Sequence, residues 1–192
     1  MNKSQQTHER ILDTAESMFA TKGYKSVRLR DVAQSLNLKH TAFYYYAKSK
    51  EELYVQVMER NFARHQRGME QAIHDAGDDL GEQMRSVGHW LMSQPPVNIG
   101  QMMQSDFAEL SHGNVMKLSQ LAFDAMRLPL ETAMQRAKDQ GTIEIEDVGL
   151  AAISFVSLIE SVNAIQEPDV RRDHQRIVDQ LVDMLLNGLL RR

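Results

Sequence analysis

Apolar residues return every three or four positions from Ile11 to Leu189, a spacing that suits one face of a helix and no strand. Ile11, Ala15, Met18 and Phe19 form the first stripe, and Leu12 widens it. Leu53, Val57, Met58, Phe62, His65, Met69 and Ile73 continue the same rhythm. Near the carboxy terminus it recurs twice. Ala151, Phe155, Leu158, Ile159, Val162 and Ile165 line one helix, and Ile177, Val178, Leu181, Val182, Leu185, Leu186 and Leu189 line another. Only 10 glycines and 4 prolines interrupt 192 residues otherwise rich in helix formers, so an all-α fold of about nine helices is expected.

The interruptions divide that helical text. Gly23, followed by apolar Tyr24, suits a left-handed cap at the end of a first helix over 5–22. Short helices are expected over 28–35 and 39–46, around a tight turn at Leu36-Asn37-Leu38, since Asn tolerates positive φ. Two short helices about a tight turn, backed by a longer one, make a helix-turn-helix layout. Ser49 opens a long helix to Gly77, with Glu52 placed to complete a capping box. Further helices are expected over 78–94, stopped by Pro95-Pro96, and over 101–112. Another is expected over 114–140, kinked at Pro129 and ended at Gly141, then two over 146–166 and 171–190, parted by Glu167-Pro168-Asp169.

Charge is distributed unevenly. Residues 1–50 carry nine Lys and Arg against four acids, a net +5, within a chain whose total is −4. The other 142 residues therefore hold −9. A basic head on an acidic body engages a polyanion with one end only. The chain has no cysteine, which removes disulfides, thiolate zinc sites and cysteine nucleophiles. The polar stretch Met1–Arg10 lacks the apolar core of a secretion signal, and no long uncharged apolar run occurs, so a cytoplasmic protein is expected.

The run from Val27 to Leu53, through Leu36-Asn37-Leu38-Lys39-His40-Thr41-Ala42-Phe43-Tyr44-Tyr45-Tyr46, closely resembles the DNA-binding domain of the Tet-repressor (TetR) family. Ile11-Leu12-Asp13-Thr14-Ala15, Phe19 and Lys22-Gly23-Tyr24 stand at the matching distance upstream. The resemblance covers about the first 55 residues. The family often has Thr at position 28, Gly at 37, Ser at 39 and Phe at 47, where this chain has Arg28, Asn37, Lys39 and Ala47. Arg28 and Lys39 give up capping hydroxyls and add charge. The resemblance implies a transcriptional regulator with a helix-turn-helix domain over 1–50 and a helical ligand-binding and dimerisation domain over 51–192. It implies a repressor that binds a palindromic operator as a homodimer and is released by a small-molecule inducer. A DNA-binding factor without a ligand is the alternative.

A helix lying in the major groove offers its first residues to base edges, here Lys39, His40, Thr41 and Ala42. Lys39 can donate to guanine, and the methyls of Thr41 and Ala42 can meet a thymine methyl. Tyr44 and Tyr45 reach toward phosphates from the far end, while Phe43 is expected to pack. Lys50 lies beside free amides in the first turn of the long helix. The resemblance makes Tyr44 and Lys50 phosphate contacts. A dimer places two such heads about 34 Å apart, or a multiple of that.

In the body, the resemblance implies an inducer cavity, with Phe62, Trp90, Met103, Phe107, Phe123 and Met126 as candidate walls. The Met-rich middle suits an adaptable apolar pocket. The last two helices carry stripes wider than a surface helix needs, so Phe155, Leu158, Ile159, Val162, Leu181 and Leu185 are expected at a four-helix dimer interface. Enzymatic chemistry finds little support. Glu109-x-x-His112, with Asp106 one turn earlier, has di-iron spacing, but no second copy exists. No phosphate loop or nucleophile elbow is present. Neither a cofactor nor a metal is expected.

Overall fold

The computed structural model describes residues 2–95, 100, 102–163 and 173–188. Nine α-helices and no strand occur among them. Ile165, the break at Glu167-Pro168-Asp169 and Leu189 lie outside the described residues, as does the side chain of His40. Contacts divide the chain into two units, Met1–Asn61 with Asn98–Ser119, and Phe62–Val97 with Gln120–Arg192. Sequence order suggests a division near residue 50. Packing instead returns a later segment to the head, because polar residues at 106, 109, 111 and 114 find partners there.

In the first unit, α1 spans Lys3–Ser26, α2 Leu29–Ser35 and α3 His40–Phe43. A reciprocal cap opens α1: Asn2 Oδ1 accepts from the Gln5 amide (2.8 Å), and Gln5 Oε1 accepts from the Asn2 amide (2.9 Å). Gly23 breaks the helix with φ 73°, and the Val27 amide then closes a turn on the Tyr24 carbonyl (3.3 Å). Ile11, Ala15, Val32, Phe43 and Leu53 are buried where these helices meet.

The long helix α4 (Lys50–Asp75) begins in this unit and ends in the other. Ser49 Oγ accepts from the Glu52 amide (3.0 Å), as the capping box requires. The Glu52 carboxylate reaches one residue further back than expected, to the Lys48 amide (2.7 Å). A π turn at Met102–Asp106 and a 3₁₀ turn at Phe107–Glu109 then lead to α6 (His112–Ala122).

The second unit contains the end of α4, then α5 (Leu80–Ser93), α7 (Leu128–Asp139), α8 (Val148–Asn163) and α9 (His174–Asn187). Asp79 caps α5 by accepting from the Glu82 amide (2.9 Å). The helix expected over 114–140 is two helices, joined by a π turn at Phe123–Arg127. Pro129, in the first turn of α7, lacks an amide and crowds the preceding carbonyls, which accounts for the π turn in an otherwise continuous helical run. Gly141 ends α7 with φ 72°.

Helix α5 lies at the centre, against α7, α8 and α9. Gly88 makes this possible: a Cβ there would lie 2.5 Å from Val178 Cγ1 and 3.4 Å from Phe155 Cζ. Arg85 adds polar ties to α9, at 2.8 Å to Asp183 and 3.8 Å to Asp179. No described helix is long and apolar enough to cross a membrane.

Candidate nucleic-acid interface

The turn between α2 and α3 is built as its residues demand. Asn37 takes φ 54°, and the Leu38 amide reaches back to the Ala33 carbonyl (2.9 Å). The Lys39 carbonyl then accepts from the amides of Ala42 (2.9 Å) and Phe43 (3.1 Å), which starts α3. Phe43 is completely buried and anchors the helix, so its neighbours must face outward. Thr41 and Ala42 are exposed, Tyr44 is 41% exposed and Tyr45 82% exposed.

Tyr46 secures the far end. Its ring stacks on His8 at 5.8 Å, and its carbonyl accepts from Gln56 Nε2 (3.1 Å). Gln56 Oε1 in turn bonds His8 Nε2 (2.9 Å). One latch therefore joins α1, α4 and the end of α3.

Arg28 occupies the N-cap of α2 without a side-chain capping bond, as expected where a hydroxyl is missing. Arg28 and Lys39 are both exposed, and neither forms an ion pair among the described residues. Two neighbouring cations are engaged, Lys25 with Glu109 (3.0 Å) and Arg30 with Asp31 (3.6 Å). Lys50 is placed differently from the expectation of an open phosphate contact. Its Nζ donates to the carbonyls of Tyr24 (3.0 Å) and Lys25 (3.4 Å), 4.1 Å from the Tyr24 ring centroid. At the broken end of α1, Lys50 thus shares the Tyr24 carbonyl with the Val27 amide and supplies a donor to the Lys25 carbonyl.

Beneath this surface is a buried polar knot. Tyr54 donates from its hydroxyl to Asp106 Oδ2 (2.9 Å). Burial foremost, then the Asp106 charge, pushes the Tyr54 phenol far above its ordinary range, so it stays protonated. Tyr24 is pushed up as well, by burial and then by Glu51, Glu109 and Asp106. Phe19 and Tyr24 meet the Tyr54 ring edge-on, at 5.1 and 5.0 Å. Glu51 accepts three bonds of 2.7 Å, from the Ser111 amide and hydroxyl and from Asn114 Nδ2. Those bonds hold its carboxyl below the ordinary range. Arg60 spans three carboxylates of α1: Glu9 (3.0 Å), Asp13 (2.8 Å) and Glu16 (2.7 Å).

The would-be metal residues thus have other roles: Asp106 binds Tyr54, and Glu109 binds Lys25. Among the described residues no group of three or more His, Asp or Glu could hold a metal ion.

Residues 11–57 match the family described as bacterial regulatory proteins, tetR family. The biofilm operon icaADBC HTH-type negative transcriptional regulator IcaR of Staphylococcus epidermidis is 37% identical over 54 residues. That match covers 28% of this chain and 29% of the relative, so it spans less than a third of either. The TetR-family regulator PfmR of Thermus thermophilus is 25% identical, with a TM-score of 0.69, over 95% of this chain and all of that one. The tetR-family match thus covers residues 11–57, the helix-turn-helix end of the chain. The fold is also shared with AibR, solved in complex with isovaleryl coenzyme A and operator DNA, at TM-score 0.77 and 19% identity over 95% of this chain and 99% of that one.

The body residues expected as cavity walls do not gather at one place. Phe62 and Met126 are buried in the second unit. Trp90 packs against Gly68, where a Cβ would come within 2.0 Å of its ring, and meets buried His65 edge-on at 5.2 Å. Phe123 is at the surface under Arg127, 5.0 Å from its ring centroid. Met103 and Phe107 belong to the first unit. The second unit instead opens a cleft of about 560 Å³ between the last turns of α4 and the start of α7, and none of the six lines it. Glu70, His74, Asp78, Asp124 and Arg136 do line it, and sequence reasoning passed over them. The available signal was Glu70 and His74, one turn apart near the end of α4.

The residues expected at a dimer interface divide similarly. Phe155 and Ile159 are fully buried within a single chain, because α5 comes close enough at Gly88 to cover them. Leu158, Val162 and Leu181 are half-buried, and Leu185 is exposed. The wide stripe of α8 is two faces. One fills this chain's core, and the other carries Leu150, Leu158 and Val162 outward.

Proposed function

We propose that this protein is a homodimeric transcriptional repressor that binds a palindromic operator and is released by a small-molecule inducer. One observation carries the reading. A fully buried Phe43 holds a short helix so that Thr41, Ala42, Tyr44 and Tyr45 face outward beside the unpaired cations Arg28 and Lys39. This is the form of a major-groove reader, with base contacts at its start and phosphate contacts at its far end. Lys50 contributes by fixing α1 against α4, which sets the pitch of the reading helix.

A negative regulator and an operator-bound structure among the similar proteins support repression. Isovaleryl coenzyme A in AibR supports an inducer held by the body. The half-exposed leucines and valine of α8 and α9 support dimerisation through the outward face of those helices. Neither catalysis nor a cofactor is part of this reading, which places the protein in the cytoplasm with its DNA.

Selection of bound sites from genomic DNA, followed by fluorescence anisotropy on the selected duplex, tests the proposal. Arg28→Ala should weaken all sequences alike and reduce the salt slope by about one. Lys39→Ala or Thr41→Ala should change which base is preferred, by about 1–3 kcal/mol at the contacted position. Unaltered preference in both variants would overturn the placement of the reading helix.

A further inference from the structure

The reading helix is too short to hold its own direction. α3 spans only four residues, and a lone helical turn is unfavourable in water without outside support. Buried Phe43 supplies that support on the inner side. Beyond it the chain continues only as turns, in which the Tyr45 amide reaches the Ala42 carbonyl (3.4 Å). The amides of Tyr46 and Ala47 share the Phe43 carbonyl (2.9 and 3.3 Å). Ala47 is buried but offers one methyl, so little apolar contact anchors this end. Exposed Tyr45 stands on it, edge-on to the Tyr46 ring at 5.3 Å.

The missing support comes from Gln56 and His8. Gln56 Nε2 faces the Tyr46 carbonyl, which can only accept, so Gln56 Oε1 must accept from His8. His8 Nε2 therefore carries a proton, and one amide serves both partners. The His8 ring covers Tyr46 with 17° between their planes, and Ser4 Oγ lies 3.4 Å from the Tyr46 hydroxyl. Arg60, one turn after Gln56 on α4, binds Glu9, the neighbour of His8 on α1 (3.0 Å). Tyr46 is thus held by carbonyl, ring and hydroxyl, from two helices clamped to each other.

We propose that His8 and Gln56 are positioning residues of the reading helix, setting the direction of its far end and hence where Tyr45 meets a phosphate. Gln56 has the larger share, because it alone holds the backbone there. Phosphate contacts fix the register of a protein on its duplex, so a loosened far end also blurs the base contacts made at the start of α3. The proposal deepens the regulator reading and rests on it for the consequence.

Two measurements on the full chain test it, one of them without DNA. In the free protein, amide hydrogen exchange at Tyr45, Tyr46 and Ala47 should be roughly tenfold faster in Gln56→Ala, with the amides of α5 unchanged. Gln56→Glu keeps the acceptor for His8 and loses the donor to Tyr46, so it should speed the same three. On the selected duplex, Gln56→Ala should weaken binding roughly tenfold at an unaltered salt slope, since no cation is lost. Tyr45→Phe alone should weaken binding roughly fivefold, but less than about twofold in the Gln56→Ala background, where the contact has already gone. His8→Ala should weaken it roughly threefold, and His8→Phe should recover part of that through the ring stack. Equal losses from Tyr45→Phe in both backgrounds, exchange unmoved in both Gln56 variants, or an affinity indifferent to His8→Ala would each overturn the proposal. Failure to bind any duplex would sink the regulator reading, while the exchange rates would still show whether Gln56 holds the far end of α3.

Discussion

The two units hold their helices together by different means. In the first, an apolar core around Ile11, Val32, Phe43 and Leu53 is tied by long-range polar contacts: Arg60 across three acids of α1, Tyr54 on Asp106, Glu51 on Ser111 and Asn114. In the second, helices come close because side chains are missing. Gly68 receives Trp90, Gly88 receives Val178, and Gly149 lies under Arg127, whose Nη2 would be 1.9 Å from a Cβ there. Polar contacts fix geometry by direction, whereas glycine contacts fix it by excluding volume. A head that must present a helix at one angle benefits from direction. A body that opens a cleft benefits from close packing everywhere else.

The sharpest way to break this comparison is to fill one of the glycine contacts. At Gly68 an added Cβ would lie 2.0 Å from two ring carbons of Trp90, so the indole must move. Overpacking outweighs the helix-propensity gain of Ala, and Gly68→Ala should lose about 3 kcal/mol in urea unfolding. Trp90 is the only tryptophan, so its emission reports the same event directly and should shift to the red. Unchanged emission and midpoint would mean that the body is not held by exclusion at this point.

The same contrast explains what could be read from the sequence. The head was legible because its signals are local. Asn37 supports its own turn, Ser49 caps the next helix, and Gly23 ends the first. The body was not legible, because Gly68, Gly88 and Gly149 sit inside helices, where a glycine marks no turn and its purpose depends on a residue far away in sequence. For that reason Phe155 and Ile159, sensible interface residues by stripe width, fill the core of a single chain. Lys50 carried a local phosphate signal, while its actual partners are carbonyls 25 and 26 positions earlier. The cleft acids were passed over because they come from separate segments that only folding brings together.

A smaller effect sharpens the polar side of the comparison. Tyr54→Phe keeps the ring contacts with Phe19 and Tyr24 and removes only the donor to Asp106. Asp106 is then a buried carboxylate whose nearest other donor, Ser105 Oγ, is 3.4 Å from Oδ1. Leaving it unsatisfied should cost about 1.5 kcal/mol in thermal or urea unfolding. The double variant Tyr54→Phe with Asp106→Asn should recover part of the loss, because an amide is cheaper to bury unpaired than a charge. Absence of any recovery would show that Tyr54 acts through shape, as the glycines of the body do.

The smallest effect carries a pH signature that no glycine contact can imitate. The three hydrogen bonds to Glu51 favour its ionised form, so its folded pKa lies below its unfolded value near 4.3. The stabilisation is therefore complete above that unfolded value and disappears as pH falls through the folded one. Glu51→Gln should cost about 0.5 kcal/mol at neutral pH, the contribution being limited by solvent screening. That difference from the unsubstituted chain should shrink toward zero on acidification through the lower carboxylate range, as the native Glu51 takes up its proton. Gly68→Ala should show a deficit that does not vary with pH over the same interval. Parallel urea titrations of the two variants separate the cases: a pH-independent deficit for Glu51→Gln would remove the ionic character assigned to the head and leave both units held by packing.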